Sequence, residues 1–288
     1  MTPNQPQLDR RRHPFRPDLA ALSLQGRVAA ERYVVGERHV VVAGRAPLRA
    51  EPDPARPLDS ELLFGESFDV YDRRDGWAWG QCGTDGYVGW VPAAALAPAA
   101  NAVPTHMLAA RYSFLFPAPD IKAPVLDTLP MGAQLTVVAD HGRFLELAEG
   151  RGFVFAGHAV PLAEWGAAPD PVVVAESLLG VPYLWGGRSP LGIDCSGLVQ
   201  LCLAAAGVSA PRDSDMQREE LGERVEGAPR RGDIACFPGH VALMRDDSHV
   251  VHATAHHLSV CIEPLDAVSR RADPTWAKGL LCFRRITP

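Results

Sequence analysis

The chain has 288 residues, of which 47% are hydrophobic and 22% are charged. These values are ordinary for globular proteins, and the length suits two or three domains. A chain that is disordered throughout is therefore excluded. The formal net charge of -6 at pH 7 gives no general attraction to nucleic acid, because phosphate binding requires clustered Lys and Arg. We expect no nucleic-acid partner.

Residues 1–30 are predicted to form an N-terminal tail. They contain a basic cluster, Arg10 to Arg12 with Arg16, which we interpret as a solvated segment rather than a binding arm. The segment has no apolar run of signal-peptide length, and no stretch elsewhere reaches the ~20 apolar residues that span a bilayer. We therefore expect a soluble, cytoplasmic protein with reduced thiols and no membrane partner. The sequence indicates no oligomeric state.

Two neighbouring regions, residues 31–100 and 101–163, are predicted to be copies of one small all-β module. Short runs with period-two alternation, such as SFDVYD and WAWGQC, are separated by Gly, Pro and Asp, which is typical of a small barrel or sandwich. With an offset of roughly 66 residues, Gly65 matches Gly132. The second copy lacks the GYVGW ending of the first, so we assign it only a packing or spacing role.

Residues 164–288 are predicted to form an α+β domain after an Ala- and Pro-rich linker. Asp170 and Pro171 fit the N-cap and the first position of a short helix. A Gly-rich loop then leads into a second helix, which begins at about Cys195 and ends near Gly207. The runs DIACF, HVALMR and HVVHATA are typical of strands, so we expect a helix packed under an antiparallel sheet.

Of the six cysteines, Cys195 has the sequence setting of a nucleophile. It lies where a glycine-containing loop meets a helix, and the positive end of the helix dipole favours a thiolate over a thiol. The N–H groups that open the helix are suited to an oxyanion. The other cysteines form no C-x-x-C pair, which argues against a disulfide scaffold and a structural zinc site. They lie in apolar patterns and are interpreted as buried small hydrophobes: Cys82, Cys202, Cys236, Cys261 and Cys282.

A thiol nucleophile requires a base, and two histidines occupy suitable positions. His240 begins a predicted strand after a Pro-Gly turn, and His252 lies in the next strand, where it can bond the far nitrogen of His240 and orient the ring. A neutral orienter helps an imidazolium less than Asp does, so we expect the site to rely on a Cys–His ion pair. Cys195, His240 and His252 also form a competing catalytic zinc set. No acidic general base accompanies them, so we expect no metal and no other cofactor.

Three sequence blocks resemble those of the NlpC/P60 family of papain-like cysteine peptidases. PYLWGGRSPLGIDCSGLVQLC resembles the nucleophile block, GDIACFPGHVALM the block of the catalytic histidine, and HVVHATA the block of the polar orienting residue. The resemblance implies Cys195 as nucleophile, His240 as base and then acid, and His252 as orienting residue. It also implies that the hydroxyl of Tyr183 joins the backbone N–H of Cys195 at the oxyanion. The two β modules resemble bacterial SH3-like domains.

The resemblance also implies a substrate. NlpC/P60 enzymes typically cleave the bond between D-γ-glutamyl and a diamino acid in peptidoglycan peptides. Members with two N-terminal SH3-like domains and no export signal resemble cytoplasmic muropeptide-recycling enzymes, which act on free stem peptides with an unblocked N-terminal L-Ala. The stretch PRDSDMQ departs from the family's usual Arg-Thr-Ser stretch, which leaves the role of its serine open. The residues implied to contact this substrate are Asp194, Ser196, Ser214, Glu66 and Tyr87.

Two alternatives stay open from the sequence. An amidase or acyltransferase of the same fold forms the same thioester but releases different products. A non-catalytic wall-peptide binding protein uses tandem SH3-like domains beside an inert third domain, although a complete triad argues against inertness. We expect the endopeptidase, with a small muropeptide as its substrate.

Overall fold

The structure, a computed structural model, describes residues 8–99, 103–167, 170–271 and 279–286. By its internal contacts the chain divides into two compact units, Met1–Ala102 and Val103–Pro288. Among the described residues, every helix is too short or too polar to cross a membrane.

The first unit is a small β-barrel with a short segment packed against it. A sheet of five strands, in the order β8-β7-β6-β3-β9, stands beside the hairpin β4-β5, and side chains such as Val41, Leu62 and Phe68 fill the core between them. Short 3-10 helices occur at Leu22–Leu24 and Ala93–Ala95. The strands are β1 (Ala20–Ala21), β2 (Tyr33–Val34), β3 (Glu37–Val41), β4 (Arg45–Leu48), β5 (Ser60–Leu63), β6 (Ser67–Arg74), β7 (Trp77–Cys82), β8 (Val88–Pro92) and β9 (Leu96–Pro98).

The segment before this barrel is not the solvated tail that composition indicated. Leu19 and Leu24 are buried, and β1 pairs with β2 in a parallel ladder. Arg16 forms an ion pair with Asp72 at 2.5 Å, and its guanidinium lies 4.4 Å from the ring centroid of Trp79. The basic cluster therefore contributes a folded contact, because an arginine that is both ion-paired and stacked on an aromatic ring loses its freedom in solvent.

The second β module repeats the first, as the sequence predicts. Gly65 and Gly132 both adopt positive φ angles, 81° and 88°, and their N–H groups donate to the carbonyls of Val41 and Leu108, each at 2.9 Å. The strands follow the same order with the same intervening hairpin. They are β10 (His106–Leu108), β11 (Tyr112–Leu115), β12 (Asp127–Pro130), β13 (Gln134–Leu135), β14 (Val137–Asp140), β15 (Phe144–Leu147), β16 (Gly152–Phe155) and β17 (Ala159–Pro161), with 3-10 helices at Ala148–Gly150 and Ala156–His158.

The remainder of the second unit contains the predicted helix and sheet. Six antiparallel strands lie in the order β20-β25-β21-β22-β23-β24. The helices are α1 (Pro171–Ser177), α2 (Cys195–Ala205), α3 (Ser214–Glu220) and α4 (Leu265–Arg270). The strands are β18 (Arg188–Ser189), β19 (Gly192–Ile193), β20 (Glu223–Val225), β21 (Ile234–Phe237), β22 (His240–Met244), β23 (His249–Thr254), β24 (Ser259–Pro264) and β25 (Cys282–Arg285).

Helix α2 packs against this sheet and forms the centre of the core. Asp170 caps α1 by accepting a hydrogen bond from the N–H of Val172 at 2.8 Å, as its position before a proline predicts. Leu198 and Cys202 of α2 pack with Val241 and Val251 of the sheet. This packing brings the first residue of α2 to the beginning of β22. The domain boundaries expected at residues 100 and 163 stay predictions.

Candidate active site

Cys195 is the first residue of α2. Asp194 caps the helix, and its Oδ1 accepts a hydrogen bond from the N–H of Gly197 at 2.7 Å. The sulfur of Cys195 interacts with the backbone N–H groups of Ser196 and Val241. Val241 directly follows His240 in β22, so the thiol lies where the helix meets the strand that begins with this histidine.

His240 and His252 form a buried pair on neighbouring strands. Nε2 of His240 lies 2.8 Å from Nδ1 of His252, and the two side chains are 1% and 0% exposed. The bond to His252 uses the ring nitrogen Nε2, so Nδ1 of His240 is the nitrogen left to exchange a proton. This is the pairing that the hairpin in the sequence predicts.

The charge state of the site differs from the expected ion pair. Burial, reinforced by the negative charge of Asp194, raises the pKa of the Cys195 thiol to about 12, although N–H groups and Arg212 act in the opposite direction. Burial, together with the neighbouring His252 and Arg271, holds the pKa of His240 well below its usual value. Both directions favour a protonated thiol in the resting protein over the thiolate that the helix dipole predicts. Because Cys195 is only 7% exposed, desolvation outweighs the helix dipole.

Tyr183 lies beside the thiol. Its N–H donates to the carbonyl of Leu258 at 2.9 Å, and a β-bridge joins it to Ile193. Burial, together with the neighbouring Cys195 and Asp194, raises the pKa of its phenol. The hydroxyl therefore keeps its proton and is a hydrogen-bond donor throughout the neutral range.

Arg212, which the sequence analysis missed, binds the residue before the nucleophile. Its Nη1 and Nη2 donate to the two carboxylate oxygens of Asp194 at 3.0 and 2.6 Å, and Nη1 also donates to Oγ of Ser196 at 2.9 Å. The N–H of Gly186 also donates to Oδ2 of Asp194, at 2.9 Å. The signal was available in the stretch PRDSDMQ, but a single sequence does not reveal that this arginine folds inward.

Glu263, also missed, follows in the next strand. Its Oε2 lies 2.9 Å from Nε2 of His252, and the carboxylate forms ion pairs with Arg271 and, at 3.2 Å, with His257. The register of β23 with β24 places Cys261 opposite His252, and Glu263 two residues further on the same face. That diagonal relationship could not be read from the sequence, because the turn between the strands leaves their register open.

Two family models match the chain. The model described as NlpC/P60 family matches residues 180–285, and the one described as bacterial dipeptidyl-peptidase Sh3 domain matches residues 48–96. The first match spans Cys195, His240 and His252 with the geometry described above. The chain contains the NlpC/P60 domain of a cysteine peptidase.

Curated relatives and a solved structure resemble the chain over most of its length. Dipeptidyl-peptidase 6 of Lysinibacillus sphaericus is 28% identical over 265 residues, which is 79% of this chain and 91% of that protein. Gamma-D-glutamyl-L-lysine dipeptidyl-peptidase of Bacillus cereus is 28% identical over 243 residues, 74% of this chain and 72% of that protein. The crystal structure of an NlpC/P60 family protein from Bacillus cereus has a TM-score of 0.74 at 21% identity, and covers 87% of this chain and 100% of that one.

Three of the five residues predicted to bind substrate lie in the same compact unit as the nucleophile. Asp194 and Ser196 adjoin the nucleophile, but the carboxylate of Asp194 is already bonded to Arg212 and to backbone N–H groups. Its predicted contact with a substrate ammonium stays a prediction, beside its observed role in capping α2. Ser214 begins α3 and is partly buried, and its substrate role stays a prediction too.

Glu66 and Tyr87 belong to the first compact unit. Oε2 of Glu66 accepts a hydrogen bond from the N–H of Leu63 at 2.8 Å, and the N–H of Tyr87 donates to Oδ1 of Asp85 at 3.0 Å. Both side chains are buried. Their predicted contacts with substrate stay predictions.

The competing zinc set of the NlpC/P60 domain does not correspond to a cluster of ligand atoms. Over the part of the chain that the structure describes, one group of three has ligand atoms within 4.8 Å of one another, namely His252, Cys261 and Glu263. It includes neither Cys195 nor His240. Its carboxylate already binds Arg271, which a metal ion would have to displace. Among the described residues no disulfide links the other cysteines; Cys82, Cys202 and Cys236 are buried as predicted, whereas Cys261 and Cys282 are only partly buried.

Proposed function

We propose that this peptidase hydrolyses the bond between γ-D-glutamyl and a diamino acid in free peptidoglycan stem peptides with an unblocked N-terminal L-Ala. The observation that carries the proposal is the buried His240–His252 pair at 2.8 Å, which adjoins the thiol at the start of α2. Relatives named gamma-D-glutamyl-L-lysine dipeptidyl-peptidase support the substrate class.

In the proposed acylation, Nδ1 of His240 accepts the thiol proton as the sulfur of Cys195 attacks the γ-carbonyl carbon of D-Glu. The carbonyl π electrons move to oxygen and form an oxyanion. The N–H of Cys195 and the hydroxyl of Tyr183 donate to it, and such donors act most strongly where water is excluded. The tetrahedral adduct then collapses, the C–N bond breaks, and His240 gives its proton to the departing amine of the diamino acid.

In the proposed deacylation the roles repeat with water. His240 takes a proton from water, the hydroxide adds to the thioester carbon, and collapse of the second adduct breaks the C–S bond. The thiolate leaving group recovers its proton from His240, so the dipeptide L-Ala-γ-D-Glu leaves as a free acid. Because the resting pair is neutral, each attack transfers one proton and creates the imidazolium only transiently. His252 holds the ring of His240 in place for both steps.

The proposal is tested by incubating L-Ala-γ-D-Glu-diaminopimelate with the protein and analysing the products by mass spectrometry. We expect L-Ala-γ-D-Glu and diaminopimelate from the wild type and from Cys282→Ala, a control that removes a thiol of the same domain outside the candidate site. Cys195→Ala should release neither product. Cleavage by both wild type and Cys195→Ala, or by neither, contradicts the proposal.

The same experiment separates the open alternatives. An acyl-enzyme on Cys195 that is resolved by an added amine rather than by water identifies an acyltransferase. The cytoplasmic location expected from the sequence is part of the proposal. Fractionation of cells with a tagged full-length chain tests it, and recovery of the protein outside the cytoplasm contradicts it.

A further inference from the structure

A triad that ends in a neutral histidine lacks the negative charge that stabilises an imidazolium. In this site the third member, His252, makes a further contact. Its Nε2 lies 2.9 Å from Oε2 of Glu263, whereas its Nδ1 lies 2.8 Å from Nε2 of His240. The side chains His240, His252 and Glu263 therefore form a hydrogen-bonded row that ends in a carboxylate, and the thiol of Cys195 interacts with the N–H of Val241, the residue after His240.

The carboxylate of Glu263 is ionised. Burial opposes its ionisation, but hydrogen bonds from His252 and Arg271 outweigh burial and hold the pKa of Glu263 far below its usual range. An ionised carboxylate has no proton to donate. The contact with His252 is consequently a hydrogen bond in which Nε2–H of the histidine donates to Glu263.

The proton on Nε2 of His252 determines which ring nitrogens of His252 and His240 carry the other protons. His252 is neutral because burial lowers its pKa, so a proton on Nε2 leaves Nδ1 as an acceptor. Its partner, Nε2 of His240, must then be the donor in the bond at 2.8 Å. His240 is neutral as well, so its Nδ1 carries a lone pair, which is what the base of a thiol needs.

We propose that Glu263 is a positioning residue of this site, which acts through His252 to hold His240 in the tautomer with a basic Nδ1 and to balance the positive charge that His240 gains. The proposal rests on the proposed role of His240 as base. The carboxylate–histidine–histidine arrangement supplies the charge that a lone histidine lacks. It also excludes the opposite tautomer of His240, in which Nδ1 is protonated and cannot accept the thiol proton.

Other charged and titratable groups lie next to these side chains and influence their pKa values. Arg271 and His257 share the carboxylate of Glu263, and Arg271 lowers the pKa of His240 whereas Glu263 raises it. Asp194, Arg212 and Tyr183 face the thiol end. Cys261 lies opposite His252 and stays a thiol, because burial, together with Glu263, raises its pKa to about 11.

Glu263 raises and Arg271 lowers the pKa of His240, so substitutions of these two residues should change the reactivity of Cys195 in opposite directions. We would measure the rate of alkylation of Cys195 by iodoacetamide between pH 4 and 9, quantifying the modified peptide by mass spectrometry. Glu263→Gln keeps a hydrogen-bond acceptor but removes the negative charge. The alkylation rate at the plateau of the pH profile should therefore fall about tenfold, and the acid limb, where the rate drops because His240 is protonated, should move to lower pH by about one unit. Arg271→Gln should raise the rate and move the acid limb to higher pH.

A matched control is Glu146→Gln in the second β module, where His141 and Glu146 form a His–Glu pair at 2.8 Å that is remote in sequence from the site. It should leave both plateau and limb unchanged. Nitrogen-detected NMR of the imidazoles adds a second readout. In the wild type, His240 and His252 should both be protonated at Nε2, and Glu263→Ala should weaken this preference for the pair.

With the stem peptide as substrate, Glu263→Gln should lower kcat with little change in KM, and Glu263→Asp should restore part of the loss. Shifts of the acid limb in the same direction for Glu263→Gln and Arg271→Gln, or no shift in either, overturn the proposal. The variant His240→Ala distinguishes a failure of the role given to Glu263 from a failure of the proposed function. If His240→Ala alkylates like the wild type, His240 is not the base and the proposed function fails; if only His240→Ala changes the rate, Glu263 alone loses its role.

Discussion

Arg212 binds both carboxylate oxygens of Asp194, at 3.0 and 2.6 Å, directly before the nucleophile in the chain. The guanidinium is 1% exposed, so the pair lies inside the domain. A bidentate contact of this kind holds the carboxylate in one orientation. Because the same carboxylate caps α2 through the N–H of Gly197, Arg212 fixes where the helix that carries the thiol begins.

Removing the cation from this pair should destabilise the domain. In Arg212→Met the carboxylate of Asp194 stays buried without its counter-charge, so we expect the free energy of unfolding to fall by about 3–5 kcal/mol. Denaturant titration followed by circular dichroism measures the change. The control Arg231→Met breaks a half-exposed pair with Asp170 and should cost under about 1 kcal/mol. Equal losses in the two variants would contradict the role given to Arg212.

The resting thiol should be protonated at neutral pH. Burial and Asp194 raise the pKa of Cys195 to about 12, and a thiolate absorbs at 240 nm whereas a thiol does not. We expect the difference in absorbance between wild type and Cys195→Ser to be near zero at pH 7 and to rise only in strongly alkaline solution. A full thiolate signal at pH 7 would instead establish the ion pair that the helix dipole alone predicts.

Tyr183 should act on the chemical step and not on binding. Removing one donor from an oxyanion site costs about 10²–10³ in kcat, so Tyr183→Phe should lower kcat by that factor with a nearly unchanged KM. Steady-state kinetics on the stem peptide measure both constants. Trp185→Phe provides the control, because its side chain is 65% exposed in the same loop. A rise in KM with an unchanged kcat for Tyr183→Phe would assign the hydroxyl to substrate binding instead.

The proposed specificity for an unblocked N-terminus predicts discrimination against acetylated peptide. An ammonium group that is bonded in the site leaves its partners buried without a counter-charge when it is acetylated, at a cost of about 2–5 kcal/mol. We expect acetylation of the substrate N-terminus to lower kcat/KM by roughly 10²-fold or more. Competition between the two peptides in one reaction measures the ratio directly. Equal rates would remove the ammonium contact from the proposal.

Acid should destabilise the domain in a defined pH range. His240 and His252 have pKa values below their usual range because they are buried, whereas unfolded histidine titrates near 6.5. The unfolded state therefore binds more protons below pH ~6.5, and stability that is fully present above this pH falls by up to about 1.4 kcal/mol per pH unit for each histidine. Glu263, with its lowered pKa, adds a loss only below pH ~4.5.

Unfolding titrations at pH 7.5, 6.0 and 5.0 measure this slope. The double variant His240→Gln with His252→Gln should be less stable than the wild type at neutral pH, but its stability should change less between pH 7.5 and 5.0. A wild-type protein as stable at pH 5.0 as at pH 7.5 contradicts the buried neutral pair.

Much of the fold is readable from local sequence patterns. The start of α2 at Cys195, the cap at Asp170 and the hairpin that ends at Phe237 and resumes at His240 all occur where turn and cap residues predict them. The reason is physical, because caps, turns and period-two strands depend on residues within a few positions of one another. The segment before the first barrel was mispredicted, since the contact of Arg16 with Asp72 joins residues far apart in the chain.

The sequence by itself determined the candidate nucleophile and its candidate histidines, since a helix start and a hairpin predict the positions of Cys195, His240 and His252, and the structure joins the two histidines. Only the tertiary structure decided their protons and their supporting residues. Arg212 and Glu263 reach the site through folding of the loop after α2 and through the register of β23 with β24. Burial, which no local sequence pattern reports, favours the neutral forms of Cys195 and His240, because the free energy lost by removing a charge from water exceeds the stabilisation by the helix dipole.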